Sequence, residues 1–514
     1  MNSITPEQDA STSLIPSGTL PPLRMREMPA PIPLRQMVGP SIILAGLALG
    51  SGEFVLWPYI TFKCGFVFFW ACLLAVVTQY FLNMEIMRWT LATGESAIAG
   101  FVRLSRGWAW VFLLLNILPW MIPAWSKGAS QIIGWLIFGP AVNAQGGVVA
   151  GPYDTYIAIA TMFFCGILLT AGPVVYETVE KTQLILVLLI IVIVVGLAAW
   201  LTVLRPDGVV TQLSAVATLG APRFHPPLDD PDLAPMVLLG ALAFAGAGGT
   251  MNLSQSNYIK DKGYGMGAHL GRITSPITGN EEALSETGYH FPHNAANLER
   301  WRIWWRRAGL EHFLSFLCTC LVCLLLLTLI SYILFYDRNG KLTVDPAKFK
   351  EGLGFVWAEA LELQRLIGPV ARVLFLIMGV AILFTTEFGV LDAASRISTD
   401  LVKLTWLQDN PRWSEGRLYF WFLWGEILLG SGILVLELWG LKYDPKTFFI
   451  WTSAMNGCVM FLYSGILMYR NRVRLPEPIR IPLWRLAMLL WSVLFFGFFT
   501  AWAAYDIGRQ LLQR

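Results

Sequence analysis

The sequence predicts an all-α integral membrane protein. About eleven transmembrane helices form two inverted five-helix repeats, with helices 1 and 6 broken and one extra helix at the C-terminus. Three observations carry this. Of 514 residues, 55% are hydrophobic and only 14% charged, where a soluble domain sits nearer 25% charged. Mean hydropathy is +0.57, and apolar runs such as Leu184 to Thr202 and Leu317 to Leu334 are each long enough to cross a hydrocarbon core of roughly 30 Å. Finally, two of the spans carry the same glycine-rich interruption.

In chain order, residues 1–37 are polar and proline-rich and read as a disordered cytosolic tail. Spans are expected near 38–62, 66–91, 108–137, 153–172 and 182–204, forming repeat 1 over 38–204. An extracytosolic loop, 205–233, leads to repeat 2 over 234–471, with spans near 234–258, 310–336, 366–392, 417–439 and 447–469. Residues 472–514 carry span 11, near 482–508. With the N-terminus cytosolic, 23 of the 37 Lys and Arg fall on the cytosolic side, 13 opposite, and Lys127 inside span 3. That bias expects the N-terminus in, the C-terminus out, and a plasma or inner membrane location. Trp301, Trp304, Trp305, Arg306 and Arg307 read as an interfacial anchor leading into span 7.

Several motifs are set aside. Cys318, Cys320 and Cys323 do not have zinc-ligand spacing and read as small apolar residues of a helix. The stretch GYGMGAHLG lacks the strand and βαβ unit that a dinucleotide fingerprint requires, and His290 and His293 read as ordinary loop residues. No nucleotide-binding motif, nucleic-acid signature, cofactor motif or nucleophile–base set is found, which argues against an enzyme.

The two interruptions carry the functional reading. Span 1 contains LALGSGEF and span 6 contains LAFAGAGGTMNLSQS, so Gly50 and Gly52 correspond to Gly246 and Gly248. Each pair precedes polar residues at mid-membrane depth: Glu53 in the first, and Thr250, Asn252, Ser254 and Gln255 in the second. Five spans per repeat is an odd number, so the second repeat is inverted. Paired broken helices of this kind expose backbone groups to a midplane substrate. The competing reading is close helix packing through small residues.

From VGPSIILAGLALGSGEF through FVFFWACLLAVVTQYF and TGES, and more weakly to about residue 470, the chain resembles the Nramp family of divalent-metal transporters, within the LeuT-type superfamily. The resemblance implies alternating-access cation transport with the site at the breaks. The family's Asp-Pro-Gly-Asn motif falls on Gly50, Ser51, Gly52 and Glu53, so its metal-binding Asp is replaced by Gly50. Its Met-Pro-His motif falls on Thr250-Met251-Asn252, or one residue earlier on Gly249-Thr250-Met251. The liganding thioether is then lost or displaced. A carboxylate among hydroxyl, amide and carbonyl oxygens makes a harder site, suited to a magnesium-like divalent ion.

The expected substrate contacts are Gly50, Ser51, Glu53, Gly249, Thr250, Asn252 and Gln255, with Glu53 as the metal ligand. Lys127, Glu387 and Thr385 are candidates for coupling or gating, because ionisable groups at membrane depth need a cavity or a partner. A Glu53–Lys127 ion pair is the rival structural reading, and Asp392 is expected to pair with Arg396 at i, i+4. Asn116, Pro119 and Pro123 suggest an irregular span 3. The alternatives to a divalent cation are an amino acid or other small organic solute, favoured by Lys127, and a non-transporting sensor or scaffold. The expected partners are the bilayer and a small ion or solute, with a monomer as the working expectation.

Overall fold

The computed structural model describes residues 14–143, 147–219, 233–279, 287–345, 349, 352–408, 410–440 and 444–512. Among the described residues, ten helices are long and apolar enough to cross a membrane: Pro40–Cys64, Phe69–Thr93, Gly107–Phe138, Asp154–Ala171, Val175–Leu204, Ala295–Phe335, Pro369–Trp406, Glu415–Leu438, Pro445–Val473 and Leu483–Arg509. These are spans 1 to 5 and 7 to 11. Span 6 completes the set as two half-helices, Pro235–Ala243 and Gly249–Lys262, each too short to cross alone. The arrangement is LeuT-type, with the broken spans 1 and 6 at its centre. The richest apolar window of span 1 is wholly buried, whereas that of span 11 is mostly exposed on the periphery.

Local chemistry sets the helix ends. Proline at the first turn opens spans 1, 6, 8 and 10 at Pro40, Pro235, Pro369 and Pro445, where its missing N–H costs nothing. Gly94 and Gly263 end span 2 and the second half of span 6 in the left-handed conformation (φ +71° and +77°). Span 3 bends where Met121–Pro123 separates Gly107–Trp120 from Ala124–Phe138, the irregularity expected from Pro119 and Pro123.

Three expectations are corrected. Within the 205–233 segment, the described part forms a helix, Pro206–Ala217. The described part of the N-terminal tail is packed rather than disordered. Arg24–Met25 pairs in parallel with Tyr289–His290. Arg103 Nη1 donates to the carbonyls of Ser17 and Pro21 (both 2.8 Å). The Met28 carbonyl accepts from Arg300 Nη1 (2.7 Å), and the Ile32 carbonyl accepts from Arg307 Nη1 (2.6 Å). Ile15, Leu20, Leu23, Met28 and Met37 are buried. The physical reason is that neighbouring arginines and the Tyr289 strand satisfy the tail's backbone, which proline-rich chain cannot do for itself. For the same reason Trp301 and Trp304 are not a membrane-interface anchor. Both are buried beneath this strap, and Trp304 Nε1–H donates to the Pro29 carbonyl (2.9 Å).

His290 links the strap to span 2 and gives it a pH dependence. It is buried, with Nδ1 3.1 Å from the Ala92 carbonyl and Nε2 3.1 Å from His293 Nε2. Burial pushes its pKa down to about 4. The unfolded state therefore binds more protons than the folded state between that value and the ordinary 6.5, and stability falls as pH drops through this window. At pH 5 the loss from this group is about 2 kcal/mol. Relative to the intrinsic rate at each pH, amide exchange at 24–26 and 289–290 is expected to accelerate at least tenfold from pH 7 to pH 5 in the native chain, and to change little in His290→Gln. Equal acceleration in both would remove His290 as the cause.

Candidate functional site

Span 1 does not unwind fully at its glycines. After Pro40–Ala48 the ladder tightens, with Gly50 N–H donating to the Ala48 carbonyl (2.6 Å), and a π-helical turn over Gly52–Leu56 leads into Trp57–Cys64. Single π turns inside α-helices free backbone groups and recur at functional sites. Span 6 opens wider. Residues 244–248 leave helical geometry, and Gly248 and Gly249 have φ of +72° and +50°, which only glycine adopts without strain.

The two interruptions touch. A Cβ on Gly52 would stand 1.4 Å from the Phe244 carbonyl oxygen, so the π turn of span 1 rests directly on the unwound backbone of span 6. Gln79 of span 2 closes this region from the side. Its Nε2 donates to the carbonyls of Leu242 (3.3 Å) and Ala243 (2.8 Å), while its Oε1 accepts from Gly248 N–H (3.2 Å) and Asn252 Nδ2 (3.3 Å). One side chain thus bridges both sides of the break, satisfying groups that would otherwise be orphaned in the bilayer.

Between the breaks lies a narrow cleft with room for about one water-sized particle. Ser51 and Gly52 of span 1, Trp120 and Trp125 of span 3, Phe244, Gly246, Ala247 and Met251 of span 6, and Thr386 of span 8 line it. All are buried. Trp120 and Phe244 stack with ring centroids 6.0 Å apart, and Trp125 lies 5.9 Å from Phe244, so one wall is aromatic. Among the described residues, Ser51 Oγ and Trp125 Nε1 have no hydrogen-bond partner.

The residues selected from sequence divide. Gly50 and Ser51 lie at the cleft, Gly50 against Thr386 and Ser51 in the wall. Gly249 and Thr250 open the second half of span 6. Thr250 Oγ1 accepts from Trp120 Nε1 (2.7 Å) and donates to Asn116 Oδ1 (2.8 Å), which ties span 6 to span 3. Asn252 donates to Tyr463 (3.0 Å) as well as to Gln79. Gln255 turns away, with its Nε2 3.0 Å from His312 Nδ1 of span 7.

Glu53 does not line the cleft. It is fully buried within the π turn, and both carboxylate oxygens lack a partner among the described residues. Among the described residues no cluster of three or more His, Cys, Asp or Glu is placed to hold a metal ion.

The Glu53–Lys127 pair does not form. Lys127 is bonded to Glu437 at the end of span 9, with Thr155 3.4 Å away, on the face opposite the N-terminal strap. Thr385 is occupied as a clasp to span 5: its hydroxyl bonds Gln183, whose Nε2 donates back to the Thr385 carbonyl (2.9 Å). Its neighbour Thr386 is the one that reaches the cleft. Glu387 Oε2 accepts from Ser126 N–H (3.2 Å) at the start of the second half of span 3. The expected Asp392–Arg396 pair is present at 2.8 Å, and Arg396 also binds Asp261 of span 6.

Gln79, Trp120, Trp125 and Thr386 were not singled out from the sequence. The signal that could have found Gln79 was a pair of amides one turn apart, Gln79 and Asn83, in the apolar run of span 2. Met251 was weighed there as a displaced thioether, yet its side chain stands in the cleft wall.

The sequence matches no protein-family model and no curated protein. Solved structures do match. Two variants of the manganese transporter of Eremococcus coleocola align at 11% identity over 94% of this chain and 90% of theirs, with TM-scores of 0.64 and 0.63. The same transporter in complex with an aromatic bis-isothiourea substituted compound aligns at 12% identity over 93% and 87%, with a TM-score of 0.62. At that identity the likeness shows the fold alone: the Nramp-like architecture expected from the glycine-bearing spans is the one this chain adopts.

Proposed function

We propose that the chain is a secondary transporter that moves a divalent cation by alternating access, with the ion held between the breaks of spans 1 and 6. One observation carries the reading. Glu53 is a fully buried carboxylate within the span 1 π turn, with no partner for either oxygen among the described residues. Such a group needs a cation or a proton nearby, because an isolated charge in a low-dielectric interior is strongly disfavoured. Glu53 acts as counter-charge beside the cleft, while Ser51 Oγ, the Thr386 hydroxyl and unwound carbonyls supply the oxygens that meet a partly hydrated ion. The resemblance in sequence and the likeness in fold both support the cation.

The preference for a magnesium-like ion now rests on these oxygens alone. Met251 puts a thioether at the same wall, which admits softer ions. The N-terminal face is cytosolic in this reading, and the membrane is the plasma or inner membrane. A second substrate class has its own observation: the Trp120, Trp125 and Phe244 wall suits the apolar part of a small organic solute, and the positive end of the half-helix from Gly249, which has no side-chain cap, suits a carboxylate. The Lys127 argument for that class falls away with its Glu437 partner.

Reconstituted into liposomes, the native chain is expected to take up magnesium, manganese or calcium, with Glu53→Gln reducing uptake at least tenfold. Mutual competition between magnesium and manganese reads the softness of the site. A folded, correctly inserted native chain that carries none of the three sinks the cation reading. Uptake of an amino acid that is lost in Trp120→Ala would then establish the organic one.

A further inference from the structure

Two buried acids, Glu387 and Glu426, sit halfway along the packed spans 8 and 9. Glu426 is buried near the midpoint of Glu415–Leu438, and neither carboxylate oxygen has a partner among the described residues. Its neighbours Leu428 and Leu429 point outward, so Glu426 belongs to the protein-facing side of the helix. Span 9 packs on spans 8 and 4. Span 8 carries the buried Glu387 near the midpoint of Pro369–Trp406, at the same depth along the packed pair. From span 4, Cys165 lies close enough to feel Glu387, and Gly166 abuts Ile427 and Trp424 of span 9. The other charged groups of span 9, Glu415, Arg417 and Glu437, stand at its two ends.

The two acids are unequal. Glu387 has a backbone donor, Ser126 N–H at 3.2 Å, and lies at the N-terminal end of the helix Ala124–Phe138, whose dipole favours a carboxylate. Among the described residues, Glu426 has neither a donor nor a cation. Two ionised carboxylates sharing a dry pocket repel each other, so such pairs hold a proton between them, on the member with fewer compensating bonds. Intramembrane acids in this situation mark proton pathways.

We propose that Glu426, at the depth of Glu387, is a proton-binding site at the membrane midplane, distinct from the substrate cleft, and that its proton is taken up and released during the transport cycle. The proton adds to a carboxylate oxygen of Glu426 and leaves from it to water on the opposite face, with no other bond changed. Glu387 is bound through Ser126 to the irregular span 3, and Trp120 and Trp125 of that span wall the cleft. Movement of span 3 as the cleft opens therefore alters how well Glu387 is compensated, and with it the proton held on Glu426. The coupling half of this proposal rests on the transporter reading; the protonation half does not.

The first measurement is infrared difference spectroscopy on the purified, detergent-solubilised full chain at neutral pH, comparing native protein with Glu426→Gln and Glu426→Asp. The expected result is loss of one protonated-carboxyl band in Glu426→Gln and its retention, shifted, in Glu426→Asp. An unchanged band in a monodisperse Glu426→Gln protein overturns the site. The second measurement follows magnesium or manganese uptake into liposomes loaded with a pH dye. Native uptake is expected to acidify the lumen, and Glu426→Gln to cut acidification at least tenfold while uptake driven by a membrane potential continues. Acidification equal to native in Glu426→Gln, or native uptake without acidification, overturns the coupling. If neither ion is carried, the cation reading has failed and the infrared result still decides whether Glu426 holds the proton.

Discussion

Gly52→Ala is expected to abolish uptake and to be among the most destabilising single substitutions in the chain. Its Cβ would lie 1.4 Å from the Phe244 carbonyl oxygen and 2.3 Å from the carbonyl carbon, both backbone atoms of the other interruption. No rotamer change relieves such an overlap, so one of the two breaks has to move. Overpacking by a methyl typically costs about 1–3 kcal/mol when side chains yield, and more is expected where only backbone can. Gly50→Ala is the informative comparison. There the added carbon meets the Thr386 hydroxyl at 2.5 Å, a side chain that can turn aside. Thermal denaturation followed by size-exclusion chromatography should rank Gly52→Ala well below Gly50→Ala. Native-like stability and uptake in Gly52→Ala would mean that the breaks do not bear on each other as described.

That contact explains how much of the site was legible in the sequence. The glycine pairs at matching places in spans 1 and 6 were visible because each interrupts a long apolar run, and the bilayer tolerates such an interruption only beside protein or a cavity. The residues that hold the breaks open were harder to see. Gln79 serves carbonyls more than 160 positions away, and nothing in the run around it marks which helical face it occupies. Met251 depends on register: the unwound stretch 244–248 can absorb one residue, so counting along the chain cannot say which side chain turns into the cleft. Lys127 shows the same limit in another form. Hydropathy gives depth in the membrane but not azimuth around the helix, and its azimuth leads to Glu437 rather than Glu53. The strap over 14–37 was misread because its buried residues, Ile15, Leu20, Leu23, Met28 and Met37, follow no helical or strand period. Their order comes from arginines and a two-residue strand supplied by distant segments.

Arg396→Leu is expected to lower stability by about 3–5 kcal/mol, the cost typical of removing one partner from a buried ion pair. The guanidinium is fully buried, bonded through Nε to Asp392 (2.8 Å) and through Nη1 to Asp261. It also lies 5.4 Å from the Tyr258 ring and 5.8 Å from the Tyr419 ring. Both phenols donate to Asp392, Tyr258 at 3.0 Å and Tyr419 at 2.8 Å, so one arginine joins spans 6, 8 and 9. Leucine would fill much of the volume but leave two carboxylates facing each other without a cation. If charge is what is lost, then Arg396→Leu combined with Asp261→Asn and Asp392→Asn should recover a large part of the melting temperature, since uncharged amides need no counter-ion, and at 392 the amide oxygen can accept from one tyrosine while its NH2 donates to the hydroxyl oxygen of the other. If shape is what is lost, the triple variant should melt as low as the single one. A buried pair contributes little net stability against apolar replacements, so its value here lies in registration: the second half of span 6 has a mean composition too polar to hold its place by apolar packing alone, running GTMNLSQSNYIKDK from Gly249 to Lys262. Arg396 fixes that half-helix to the rest of repeat 2, which keeps Gly248, Gly249 and the cleft above them in position.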